Sequence, residues 1–249
     1  MPILQPVAPA SGSLVQAWVS VATKPSRQNF AAWAQITTDG WVRGSIATAF
    51  ALVVLLDAAL TLGIYNLVQS INTSINTANP GVVPVGSATI APTYLISLAL
   101  VPIFSVGQML VIPFGQAIFM SPAMGTLRQR YTRALRPWAL AQVGMYFVTL
   151  VFIAVGVGVG FLIISPQVNA APSALVGSIL GTVGIFFLIG IPAEVYLVAM
   201  QVQSGSVGTG MSRWAVFGIN LLTGLVLGLA YNIILQPIIL IALSQGFGR

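Results

Sequence analysis

The sequence predicts an all-α, polytopic membrane protein: five transmembrane helices preceded by an interfacial amphipathic helix. Three observations carry that expectation. Of 249 residues, 57% are hydrophobic and only 5% are charged, with a mean hydropathy of +0.97. Soluble domains carry about 25% charged residues, so this chain cannot cover a water-facing surface. Apolar stretches long enough to cross a hydrocarbon core of about 30 Å recur along it. Between two of them, residues 121–138 read SPAMGTLRQRYTRALRPW and gather Arg128, Arg130, Arg133 and Arg136. A basic cluster flanked by apolar spans marks the cytoplasmic side of a membrane.

Residues 1–43 are expected to form a cytoplasmic tail and interfacial helices, and residues 44–249 the transmembrane domain. The start, MPILQPVAPASGS, lacks the basic and apolar regions of a secretory signal. Leu14, Val15, Trp18, Val19 and Ala22 then recur at helical spacing. They predict a short helix lying on the membrane or on the protein, with recruitment of a partner as the alternative. In residues 26–41, Ser26 follows Pro25 as an N-cap. Phe30, Trp33, Ala34, Thr37 and Trp41 fall on one side, and Arg27, Gln28, Gln35 and Asp39 elsewhere. Indole rings prefer the headgroup level, so this helix is expected to lie flat before the first span.

The first span covers about 44–68, with Asp57 at its centre. An uncharged loop at 69–87, rich in Asn, Thr, Pro and Gly, fits the outer face. The second span covers about 90–120; Pro92, Pro102 and Pro113 predict a tilt or break near Pro113. The arginine stretch follows as a loop. The third span covers about 137–164, and a short uncharged turn at 165–172 leads to the fourth at about 173–200. A polar, flexible loop at 201–213 precedes the fifth span at about 214–243. Every lysine and arginine except Arg249 then falls on one side, which puts the N-terminus in the cytoplasm and the C-terminus outside.

Chemistry is bounded by what the chain lacks. It has no cysteine and no histidine, so thiolate nucleophiles, Fe–S clusters, zinc sites and histidine-ligated haem or chlorophyll-type pigment are excluded within it. No P-loop, nucleotide fingerprint or nucleophile–base pair is present. Three acidic residues leave little for acid–base catalysis, so no enzyme is expected. No motif implies a cofactor, although lipid, quinone or pigment could contact apolar faces without leaving one. The net charge of +6 belongs to the membrane boundary, not to nucleic acid. Other membrane proteins and lipid are the expected partners.

Polar and small residues inside the spans supply the candidates. GxxxG occurs as Gly156/Gly160, Gly177/Gly181 and Gly224/Gly228, which predicts close helix packing. In the fifth span Asn220, Gly224, Gly228, Asn232 and Gln236 recur every four residues. The first span has a matching stripe of Asp57, Thr61, Tyr65 and Gln69. Polar groups in hydrocarbon must find partners, so the two stripes pack as a seam that fixes helix register, or line a hydrated path or ion site. At its depth Asp57 favours the neutral form, able to donate to Asn232 or to a carbonyl freed by Pro102. Glu194, near the cytoplasmic end of its span, is expected to pair with Arg43, Arg136 or Arg213, in one layer with Gln116, Gln142 and Asn220.

Two functions follow. One is an accessory or scaffold subunit of a larger membrane protein complex. The other is a small transporter or channel using Asp57 and the polar ridge of the fifth span. The layout resembles the Yip family, the Ypt/Rab-interacting membrane proteins, in its divergent bacterial branch. The likeness is carried by NFAAWAQITTDGW running into the first span, by RALRPW before the third, and by IPAEVYLVAMQVQSGSVGTGMSRWAVFGIN linking the fourth to the fifth. It implies a five-helix, non-enzymatic module in a bacterial inner membrane whose partners are proteins or lipid. The Asp-Leu-Tyr-Gly-Pro stretch and long acidic N-terminal region of trafficking members are missing, so GTPase binding does not carry over.

Overall fold

A computed structural model describes residues 12–78, 105–164 and 172–246, and all regular structure among them is helical. Helix α1 (Leu14–Thr23) opens on a capping box: Gln16 N donates to Ser13 Oγ at 3.3 Å, and Ser13 N to Gln16 Oε1 at 2.8 Å. This satisfies two of the amides a helix start leaves free. Helix α2 (Arg27–Ile36) takes the predicted cap, with Asn29 N donating to Ser26 Oγ at 3.2 Å. Asn29 also clasps the end of α1, its Nδ2 donating to Ser20 O at 2.8 Å and Lys24 O at 2.9 Å.

Both short helices lie on the protein. Ala17, Val21, Phe30 and Trp33 form one core with Leu140 and Ala141. The indole of Trp18 donates to Ser45 Oγ at 2.9 Å, tying α1 to the first long helix. Trp33 is therefore buried against the protein. The expected 26–41 helix also ends early. Thr37 turns extended and donates its hydroxyl back to Trp33 O at 2.7 Å. Asp39 and Trp41 belong to the next helix.

That helix, α3 (Asp39–Ala78), has 40 residues. At the α-helical rise it is about 60 Å long, twice a hydrocarbon core. Residues 69–78, expected as loop, continue it. The rest of that loop lies outside the described residues, as do Pro92, Pro102 and the first part of the second span. Helix α4 (Ser105–Phe119) runs unbroken through Pro113. A 3-10 turn (Pro122–Met124) ends at Gly125, whose φ of +111° is open to glycine and strained for other residues.

The arginine stretch is helical, not a loop. Helix α5 (Leu127–Ile164) begins well before residue 137 and carries all four arginines in its first turns. The cause is local. Thr126 and Gln129 cap its start reciprocally, Thr126 N donating to Gln129 Oε1 at 2.9 Å and Gln129 N to Thr126 Oγ1 at 3.4 Å. The turn at 165–171 lies outside the described residues.

Helix α6 (Pro172–Thr209) likewise absorbs most of the expected 201–213 loop. Ser204 and Thr209 return their hydroxyls to the helix backbone, to Gln201 O at 3.0 Å and Gly205 O at 2.8 Å, while Ser206 donates to Met211 O just beyond the helix at 3.2 Å. Such residues read as loop formers in sequence, but here their polarity is spent on the local backbone. Gly210, at φ +70°, stops α6 by donating to Ser206 O. Helix α7 (Arg213–Gly246) follows and matches the fifth expected span.

In packing, α3 lies on α5, α5 on α6 and α6 on α7, while α1 and α2 sit on α5 and α6. Three described stretches are long and apolar enough to cross a membrane: Asp39–Ala59, Leu127–Gly156 and Arg213–Ile233. The α5 stretch is 44% buried within the chain and the α7 stretch 6%, so α5 is the centre and α7 the edge.

One link holds α6 to α1. The hydroxyl of Tyr196 donates to Ala22 O, a carbonyl in the last turn of α1. Such carbonyls lack intrahelical donors. Tyr196→Phe removes only that oxygen, so it should cost about 1 kcal/mol. Thermal unfolding in mild detergent should show the midpoint lowered by about 2–4 °C. An unchanged midpoint means the bond contributes nothing.

Candidate functional site

Polar chemistry collects at the arginine-bearing end of the bundle. Gln116 of α4 is fully buried, and its Nε2 donates to Asn220 Oδ1 of α7 at 2.7 Å. Glycines make the room. A Cβ on Gly205 of α6 would stand 2.7 Å from Gln116 Nε2 and 2.6 Å from Val216 Cγ1. A Cβ on Gly115 would meet the Thr223 side chain. Gln142, Ser204, Ser206 and Thr209 are also buried. Within this layer Gln116 Oε1 and Asn220 Nδ2 are buried without a hydrogen-bond partner. The layer is made of amides and hydroxyls, which position helices and bind neutral groups. It contains no base able to activate a nucleophile.

From Asn220 a groove of about 480 Å³ follows α7 along α6. Asn220, Gly224, Gly228 and Asn232 all line it, as the four-residue spacing predicts, facing Val198, Gln201 and Val202 of α6. Gln236 stands farther along α7. An added Cβ at Gly224 or Gly228 would meet nothing within 4 Å, and the same holds for Gly181. Those glycines are open, not packed against the chain. Gly156 is buried in α5, while Gly160 and Gly177 are described only as helical.

The tight contacts lie at glycines outside any GxxxG. A Cβ on Gly144 would meet Met200 Cε at 2.8 Å, and one on Gly208 would meet Arg133 O at 2.8 Å. The available signal was the broader small-xxx-small spacing, present as Ser204 and Gly208.

Asp57 is 9% exposed. It extends the α3 stripe of Ala49 and Val53, which packs on Met109 of α4 and Val143 of α5. Thr61 and Tyr65 stand one and two turns beyond it on α3. The two polar stripes do not form a common seam among the described residues: α3 packs on α5, and α7 on α6. Asn232 Nδ2 instead donates to Gly228 O of its own helix at 2.9 Å.

Glu194 does not join an arginine. No nitrogen of Arg43, Arg136 or Arg213 lies within 4 Å of it; Arg136 Nη2 meets Asp39 Oδ1 at 3.4 Å. The reason is helix phase. Tyr196 and Met200 turn into the protein, and residue 194 lies roughly opposite on α6, where it is exposed. Arg43 and Arg213 are exposed as well. Arg130 is engaged differently, its Nη1 donating to Met120 O at 2.6 Å and closing the α4–α5 turn.

Among the described residues no cluster of carboxylates assembles a metal site. No protein-family model, no curated protein and no solved structure matches this chain.

Proposed function

We propose that this chain is a non-enzymatic integral membrane protein serving as an accessory or scaffold subunit of a larger membrane protein complex. The observation that carries this is the edge position of α7. Its apolar stretch is 6% buried within the chain, yet its open ridge bears Asn220, Gly224, Gly228 and Asn232. Lipid covers leucine but offers nothing to an amide. An open ridge of glycines bounded by amides suits close approach of a helix from another protein. In this reading α6 and residues 90–120 complete five spans, with the arginine end cytoplasmic. The layout shared with the Yip family supports the same class of protein.

Blue-native electrophoresis in mild detergent tests it. The chain should migrate with partners, and Gly224→Leu should shed them while the chain stays folded, because a Cβ at Gly224 meets nothing within 4 Å. A band at the monomer–detergent mass alone overturns the proposal. The small transporter or channel remains the second reading, favoured by the burial of Asp57 within an apolar helix. Flux into liposomes that vanishes in Asp57→Asn supports it.

A further inference from the structure

We propose that a recess at the arginine-bearing end binds the phosphate of an anionic phospholipid headgroup. The recess, of about 370 Å³, lies between α2, α5 and the α6–α7 junction, and Ala31, Ala34, Gln35, Arg133, Arg136 and Gly208 line it. Its volume matches about twelve liquid waters, ample for a phosphate with its glycerol. Gly208 lets α6 approach α5 closely beside it, because a Cβ would stand 2.8 Å from Arg133 O and 2.9 Å from Ala134 Cα.

The donors point to an anion. Arg133 and Arg136 both border the recess, and a guanidinium fork matches phosphate oxygens two at a time. Arg136 Nε is buried without a hydrogen-bond partner, so the chain itself does not saturate this guanidinium. The competing carboxylate is Asp39. Its contact with Arg136 is 3.4 Å, long for a charge-assisted bond, and its side chain is 73% exposed. It steers Arg136 without saturating it. Gln35 adds a neutral donor at the rim.

Position selects the lipid. Arg133 and Arg136 stand within the turn and a half before Trp138, and the buried run of the α5 core begins directly after them at Pro137. That is where headgroups meet a span, and basic pockets between helices there hold anionic headgroups. The inference rests on the membrane reading above.

Native mass spectrometry of the full chain, released from neutral detergent, tests it with phosphatidylglycerol and phosphatidylcholine of equal acyl length. Phosphatidylglycerol should be preferred at least about tenfold. The R133Q/R136Q variant should lose that preference, whereas R43Q/R128Q, of equal net charge and outside the recess, should keep it. R133K/R136K keeps the charge but not the fork and should fall between them, which decides the matter if the glutamine variant does not fold. Equal loss in R43Q/R128Q, or full binding by the lysine variant, overturns the site. Displacement of the lipid by millimolar inorganic phosphate overturns the lipid as its occupant. Alkaline carbonate extraction separates the premises: a chain washed off membranes defeats the membrane reading, while one that stays but shows no headgroup preference defeats the recess alone.

Discussion

Gly208→Val should destabilise the fold strongly, while Gly224→Leu, at an equally conspicuous glycine on α7, should leave it nearly unchanged. Helix α6 crosses α5 at Gly208, where a Cβ would meet Arg133 O at 2.8 Å, Ala134 Cα at 2.9 Å and Pro137 Cγ at 3.0 Å. These are backbone and ring atoms, so no rotamer change relieves them. Pro137 lies inside α5 and supplies no amide to Arg133 O, which leaves that carbonyl side free for a close helix. Valine there must push the helices apart. Overpacking costs about 1–3 kcal/mol and occasionally more, or roughly 2–4 °C per kcal/mol in a chain of this size. Thermal melts followed by circular dichroism in detergent measure it. Equal loss in the two variants would show that the α5–α6 crossing does not control stability.

The contrast between these two glycines shows what was legible in the sequence. Helical class, apolar stretches and the cap Ser26 follow from composition and local chemistry, which a single chain displays. The boundaries did not follow, for a common reason. Residues 127–136 and 201–209 are polar enough to read as loops, and both are helical. Their signals were short-range: Thr126 and Gln129 form a capping box that the sequence contains in full. Ser204, Ser206 and Thr209 could be placed only by knowing that they are buried, which is a tertiary fact.

The site was legible as a list of residues and not as a set of partners. Asn220, Gly224, Gly228 and Asn232 line one groove, a grouping that helix phase alone decides. Which surface Asp57 and Glu194 meet depends on neighbours. Asp57 is buried at the four-residue spacing of Ala49 and Val53, whose neighbours lie on α4 and α5. Glu194 is set opposite Tyr196 by the same 3.6-residue period, and Tyr196 is fixed by a backbone carbonyl in α1. Arg136 then meets the nearer acid, Asp39, ninety-seven residues upstream. Depth along a span and sign of charge are properties of one helix, but a pairing needs azimuth as well.

Gln116 and Asn220 should behave as a coupled pair, and leucine substitutions separate their bond from their packing. Gln116 is fully buried, and its amide reaches Asn220 at 2.7 Å. Leucine shares the branched heavy-atom skeleton of asparagine and has one side-chain heavy atom fewer than glutamine, so the change in packing is modest beside the loss of the bond. Gln116→Leu strips Asn220 Oδ1 of its donor, when Asn220 Nδ2 already lacks a partner. Asn220→Leu does the reciprocal harm, and more of it, because Gln116 is then left with both amide atoms unmet and no exposure. An orphaned buried amide costs about 1–3 kcal/mol. The double variant removes both amides and should be less damaged than the two single losses combined. In membrane helices such couplings average about 0.6 kcal/mol and reach about 1.7. With the bond short and the surroundings closed by Gly205 and Val216, the upper half of that range is expected. The measurement is a double-mutant cycle on thermal or denaturant unfolding in one detergent. Strict additivity would show that the α4–α7 contact is held by packing alone. A double variant as stable as the original, yet unable to enter its native complex on blue-native gels, would assign the two amides to partner recognition rather than to the fold.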